Sequence, residues 1–175
     1  MKQLIVEKNI LSQNLYEDLI KFIKHISNNK KLNFFASTSF WDKELIKQST
    51  PVLVYNFSAD DVEIYKNIQN EITSKFDYNI HSMIIHIWTP LSYIAWHKDS
   101  GYSGGLTIYL NEFWDENSGG YFMYKENEEI KAIKPEKNLG VLQLGGVEHC
   151  VSTTNINSDL RYTLQIFFQK DKKML

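Results

Sequence analysis

The sequence predicts a mainly β fold: a jelly-roll barrel preceded by N-terminal helices, with two supporting α-helices on one face. Three observations predict it. From Tyr78 onward the chain falls into eight short runs rich in β-branched and aromatic residues, separated by Gly, Pro, Asn and Asp, a texture that suits a two-sheet jelly-roll or distorted barrel. Before that point, two stretches repeat apolar residues at helical spacing. No internal repeat, low-complexity tract or linker divides the 175 residues, an ordinary length for one domain with a real core. The expectation is one domain over residues 1–175, with 1–77 as strand-and-helix support and 78–170 as the barrel core.

Taken in order, Gln3 to Val6 is a short apolar strand. Asn14 with Glu17 three residues on has the pattern of a capping box. Leu15, Leu19, Phe22, Ile23 and Ile26 then recur at helical spacing to about Ser27, with His25 off the stripe and exposed. Residues 32–50 have no clean period yet carry Phe34, Phe35, Phe40 and Trp41. They form a loop packing aromatics onto the core or a lid over an active site. Val52 to Tyr55 reads as a strand. Ser58 can cap a second helix, with Val62, Tyr65, Ile68, Ile72 and Phe76 on one side. The eight barrel strands are placed at 80–88, 94–98, 106–110, 120–124, 130–133, 141–144, 148–152 and 160–169.

Composition excludes several classes. The chain is 43% apolar with a net charge of −2, so no global field draws it to nucleic acid or a membrane. Glu7 interrupts any signal-peptide core, and no window approaches the ~18 apolar residues of a membrane span. One cysteine, Cys150, permits no internal disulfide and suits a reducing compartment. The expected setting is cytoplasmic. No motif bears on oligomeric state.

The chemistry concentrates in His97-Lys98-Asp99, His149 and Arg161-Tyr162-Thr163. Residues two apart in an extended strand share a face, so His97 and Asp99 aim an imidazole and a carboxylate at one spot. His149 would complete two histidines and one carboxylate, which bind one side of a metal and leave the other open, as in non-haem Fe(II) oxygenases. Arg161 and Thr163 likewise share a face. A guanidinium fork with a neighbouring hydroxyl is a suitable clamp for a carboxylate.

The order His-x-Asp, His, Arg-x-Thr resembles the iron(II)- and 2-oxoglutarate-dependent dioxygenases. Leu106-Thr-Ile-Tyr-Leu-Asn111, Trp114 and Ser118-Gly119-Gly120 are similar to a segment of their prolyl-4-hydroxylase-like branch. So are the Pro135 to Leu142 turn before His149-Cys150-Val151 and the closing strand Arg161 to Phe168. The resemblance covers roughly residues 80–168. It implies a cupin-like double-stranded β-helix, with Fe(II) held by His97, Asp99 and His149. It implies 2-oxoglutarate as co-substrate with its far carboxylate on Arg161 and Thr163, O2 as oxidant and ascorbate as an optional reductant. The implied reaction hydroxylates an unactivated C–H bond of a prolyl residue or other amino-acid substrate, releasing succinate and CO2, on a peptide or small molecule. Two departures bear on substrate identity. Trp88-Thr89-Pro90-Leu91 stands where the branch often has a tyrosine and a glycine, and Tyr121 follows the Gly-Gly where an acidic residue is frequent.

Other residues receive plainer assignments. His81 and His86, five apart, lie on opposite faces of one strand and read as structural or surface residues. Glu148 and Cys150 flank His149 and therefore face away from it, which argues against a fourth ligand and against a thiol nucleophile. Gly145-Gly146 reads as a tight turn, with no helix following to bind phosphate. Trp88, Tyr93 and Trp96 are core aromatics, of which Trp88 and Tyr93 are candidates to line the substrate pocket. Two rivals stand beside the hydroxylase. A nucleic-acid demethylase on the same core is disfavoured because Phe167 occupies the position of that branch's second arginine. A non-catalytic barrel binding a metal or carboxylate would not need both triad and clamp.

Overall fold

The computed structural model describes residues 4–28, 35–36, 41–99 and 101–169. Its elements follow the sequence pattern closely. Strand β1 (Leu4–Lys8) leads into helix α1 (Gln13–Asn28). Ser12 at the head of α1 donates its backbone N–H to Glu71 Oε1 (2.5 Å) and its hydroxyl to Oε2 (2.8 Å). The carboxylate that neutralises this helix start thus comes from a distant helix, and the helix begins before Asn14, so the expected Asn14–Glu17 capping box is not what starts it.

After β2 (Phe35–Ala36), residues 43–48 form a short helix α2 (Lys43–Gln48) where a loop was expected. The reason is local: Asp42 accepts from the backbone N–H of both Glu44 and Leu45 at 2.9 Å, a strong N-cap. The aromatics Phe34 and Phe40 lie outside the described residues. Strand β3 (Leu53–Asn56) precedes a 3-10 turn whose Ser58–Asp61 capping box feeds α3 (Val62–Lys75). Eight strands follow: β4 (Ile80–Trp88), β5 (Ile94–His97), β6 (Gly104–Tyr109), β7 (Phe122–Glu126), β8 (Glu129–Ile133), β9 (Leu139–Leu144), β10 (His149–Val151) and β11 (Arg161–Phe168). No helix among the described residues is long and apolar enough to cross a membrane.

The strands form two antiparallel sheets, a seven-stranded one in the order β1-β9-β6-β11-β4-β3-β2 and a four-stranded one in the order β5-β10-β7-β8. This is the expected two-sheet jelly-roll, with the sheets open at their edges and not closed into a barrel. Its edges end sheets: β2 has two residues and β8 exposes charge along Glu129-Ile-Lys-Ala-Ile133. The first three strands, drawn from the expected support region, belong to the larger sheet.

Side-chain parity then separates two environments. On one face of the larger sheet, Met83, Ile85, Ile87, Leu106, Ile108, Leu164, Ile166 and Phe168 pack with Leu15, Leu19, Ile23, Ile26, Ile68 and Ile72 of α1 and α3. The opposite face looks into the sandwich. There Val52, Val54, Ile84 and Trp88 meet Ile94 and Val151, while Leu4, Tyr109, Leu139 and Val141 meet Phe122 and Val147. The polar members of that inner face line a cavity between the sheets.

Candidate metal centre

The smaller sheet assembles the triad. Strand β10 pairs with β5 so that His149 lies directly opposite His97, with ring centroids 4.2 Å apart. Asp99 sits just past the end of β5 and offers one oxygen to each ring: His97 Nε2 is 3.7 Å from Oδ1 and His149 Nε2 is 3.8 Å from Oδ2. One donor atom from each of the three lies within 4.8 Å of the other two. His97 and His149, far apart in sequence, meet through one antiparallel strand pair.

Both imidazoles are oriented alike. His97 Nδ1 lies 2.8 Å from the Ala95 carbonyl and His149 Nδ1 lies 3.0 Å from the Val147 carbonyl. A carbonyl only accepts, so each Nδ1 carries a proton and each Nε2 is the nitrogen turned to the shared space. This backbone support of a ligating histidine fixes tautomer and ring angle. Burial, then the neighbouring His97, lowers the pKa of His149 to about 4, although Asp99 opposes the shift. His149 is therefore neutral and ready to ligate at neutral pH. The donor set of two imidazoles and one carboxylate suits Fe(II) and related divalent ions.

The cavity, about 250 Å3, is lined by all three triad residues and by Arg161, together with His86, Trp88, Thr107, Gln143 and Gln165 from the larger sheet. Arg161 is only 1% exposed. Its guanidinium stacks over the rings of Trp88 (4.4 Å) and Tyr109 (5.1 Å). Among the described residues no carboxylate pairs with it, and its Nε and Nη1, like the Tyr109 hydroxyl nearby, are buried without a hydrogen-bond partner. Burial lowers the Arg161 pKa and raises that of Tyr109. A buried cation beside a buried phenol, with no carboxylate among the described residues to neutralise it, calls for an anion.

The remaining expected site residues are placed as follows. Thr163 is fully buried and not part of the cavity wall; its Oγ1 accepts the Trp88 indole N–H at 3.0 Å. Trp88 therefore serves as a donor that braces the floor beneath Arg161. Tyr93 lies in the turn before β5, where its carbonyl accepts from Thr50 N–H, and it is not among the lining residues. Of the 32–50 segment, Trp41, Asp42 and Leu45 form part of the wall.

Sequence reasoning missed His86, Gln143 and Gln165 as cavity residues. Parity along β11, counted from Arg161, was the available signal for Gln165. The registers Thr163↔His86 and Gly105↔Gln143 place the other two on the same inner face. Burial, then Arg161, lowers the pKa of His86 to about 3, so it is neutral here. Glu148 points outward to Lys125 at 2.5 Å, and Cys150 is buried with its pKa raised to about 11 by desolvation, which leaves the thiol inert.

The Tyr-Leu-Asn…Trp…Gly-Gly segment acquires a physical role. Asn111 donates to the Leu160 carbonyl and accepts from Tyr162 N–H, both at 2.8 Å, and so clamps the backbone on either side of Arg161. Trp114 donates to the Gly119 carbonyl at 2.8 Å. Gly120 has φ +67°, and a Cβ there would sit 3.2 Å from Arg161 Cδ. Only glycine accepts that backbone at no cost and lets the arginine stem pass.

By sequence, no family model and no curated protein matches the chain. Solved structures do. A Pseudomonas putida prolyl-4-hydroxylase superposes with a TM-score of 0.74 at 14% identity, covering 96% of this chain and 92% of its own. A Trichoplax adhaerens prolyl hydroxylase, solved with a hypoxia-inducible-factor peptide fragment, gives 0.77 at 14%, covering 97% and 84%. A non-heme alpha-ketoglutarate-dependent epimerase of nogalamycin biosynthesis gives 0.73 at 5%, covering 96% and 78%. The chain has the fold of the 2-oxoglutarate and iron(II) oxygenases, prolyl-4-hydroxylases among them.

Proposed function

We propose that this protein is an Fe(II)- and 2-oxoglutarate-dependent dioxygenase that hydroxylates an unactivated C–H bond, with release of succinate and CO2. One observation carries the reading: a buried Arg161, with no carboxylate partner among the described residues, shares a cavity with the two-histidine, one-carboxylate cluster. A dicarboxylate satisfies both ends of such a cavity at once. His97, Asp99 and His149 would hold the metal through Nε2, a carboxylate oxygen and Nε2. Iron with its co-substrate supplies the oxidising power when bound. Arg161, with the Tyr109 hydroxyl beside it, takes the distal carboxylate. Thr163 acts through Trp88, keeping the indole under the guanidinium. The apolar walls formed by Trp41, Leu45, Ile94 and Phe122 exclude water from the reacting centre.

A prolyl side chain, peptide-bound or free, is the first substrate class, supported by the prolyl hydroxylases among the similar structures; the epimerase, of comparable TM-score at lower identity, keeps other small molecules in view. The buried single thiol of Cys150 suits the reducing cytoplasm. The test supplies Fe(II), 2-oxoglutarate and ascorbate, measures succinate, and screens prolyl peptides and free amino acids by mass spectrometry for the gain of one oxygen. Succinate formation that depends on the intact triad supports the reading. Its absence with every substrate pool, in protein shown to bind iron, overturns it.

A further inference from the structure

Gln143 belongs to β9 of the larger sheet, yet its side chain crosses the sandwich and donates from Nε2 to Asp99 Oδ2. It is 4% exposed, and Asp99 itself is half-buried, its side chain 18% exposed. The orientation of this amide is fixed by chemistry. A carboxylate can only accept, so the nitrogen must face Asp99 and Oε1 must face away. That Oε1 is buried without a hydrogen-bond partner, a cost retained only where the other end of the amide is needed.

The surroundings hold the amide in place. Gln143 is paired in register with Gly105 of β6. A Cβ at Gly105 would meet Gln165 Nε2 at 3.0 Å, Gln143 Nε2 at 3.3 Å and Asp99 Oδ2 at 3.6 Å. Two amide nitrogens and the carboxylate therefore converge over one residue that has no side chain. Gln165 is anchored in turn, its Oε1 accepting from the Thr107 hydroxyl at 2.6 Å. Thr107, Gln165, Gly105 and Gln143 form a polar shelf whose end is the carboxylate of the triad.

We infer that Gln143 is the positioning residue of the metal centre: it occupies Oδ2 of Asp99 and leaves Oδ1 as the single oxygen offered to the metal. A carboxylate held by one oxygen takes one coordination position; held by two, it would take a second that the co-substrate or oxygen requires. The inference rests on the triad as the metal site, and the experiment separates the two.

Mn(II) affinity is measured by the loss of the free-ion electron paramagnetic resonance signal in wild type, Gln143→Leu, Gln143→Met and Gly105→Ala, with the melting temperature of each metal-free protein as a check on folding. Loss of an outer-shell partner weakens metal binding by about 10–100-fold. We expect that loss in Gln143→Leu and Gln143→Met, and a smaller one in Gly105→Ala, which displaces the amide without altering it. Metal-free melting temperatures should stay close to wild type. The Co(II)-loaded variants should also show an altered visible spectrum, which a merely space-filling Gln143 would not produce. Wild-type Mn(II) affinity and an unchanged Co(II) spectrum in a folded Gln143 variant overturn the inference while leaving the triad intact. Failure of the wild type itself to bind Mn(II) overturns the triad and the positioning role together. If Gln143→Leu does not fold, Gln143→Met and Gly105→Ala decide the matter.

Discussion

Replacing Arg161 by methionine removes the charge but keeps an unbranched stem between Trp88 and Tyr109. In the ligand-free protein two effects oppose. The guanidinium's contact with two aromatic faces is lost, worth about 2 kcal/mol when desolvated. A buried cation without a carboxylate is also removed, which relieves a cost of similar size. Ligand-free stability should therefore stay within about 2 kcal/mol of wild type. Co-substrate binding should not. Breaking a buried charge pair costs about 3–5 kcal/mol, or roughly two to four decades of affinity. The assay titrates 2-oxoglutarate calorimetrically into Mn(II)-loaded protein and follows melting in parallel. At 100 times its dissociation constant the ligand stabilises wild type by about 2.7 kcal/mol, a rise of about 5–10 °C for a chain of this size. The same concentration should leave Arg161→Met unmoved. Arg161→Lys keeps charge without the planar fork and should fall between the two. If Arg161→Met binds 2-oxoglutarate as wild type does, the guanidinium is not the anion's partner and the co-substrate assignment fails.

Three further outcomes are expected. His97→Ala and Asp99→Ala should each lose Mn(II) binding by calorimetry while retaining the wild-type circular dichroism spectrum, since the ligands face a cavity and not the apolar clusters; full affinity in either variant would refute the triad. Thr163→Val orphans the Trp88 indole N–H and should cost about 1–3 kcal/mol in urea unfolding, whereas Thr163→Ser keeps the acceptor and should cost less; equal costs would refute the bracing role. Acid should destabilise the metal-free protein through His86 and His149, whose folded pKa values of about 3 and about 4 lie below the unfolded value near 6.5. The unfolded chain then binds more protons, so stability is lost as pH falls below about 6.5, by on the order of 2 kcal/mol per group between pH 7 and 5. A urea midpoint that is equal at pH 7 and 5 would refute this.

Much of the site could be read from residue order because it rests on strand parity. His97 and Asp99 two apart, Arg161 in a run ending at Phe168, and the punctuation at Pro135 and Gly145 needed no tertiary knowledge. What escaped depended on register or on distant partners. Gln143 and Gln165 sit in runs of leucine, isoleucine and phenylalanine, where a lone amide carries no sign of which neighbour it serves. His86 was read by its distance from His81, although its partner strand decides its surroundings. The start of α1 is governed by Glu71, which no local window contains. Trp88 was read as a departure from a tyrosine and as a pocket-lining candidate, and its importance lies in what it donates. Helix α2 was obscured by the aromatics before it, although Asp42 followed by Glu44 is a cap signal that could have been used.

The division of the site between the two sheets has a further consequence. His97, Asp99 and His149 all come from the four-stranded sheet and its exit loop, while Arg161 and Tyr109 come from the seven-stranded one. The gap between the sheets, about 10 Å in packed sandwiches, then acts as a ruler for the ligand that bridges it. A 2-oxo acid one carbon shorter would reach the metal or the guanidinium and not both, however well its functional groups matched. Selectivity for chain length would reside in the packing of Ile84, Val54, Val141 and Phe122, which set the spacing without touching the ligand's charged ends.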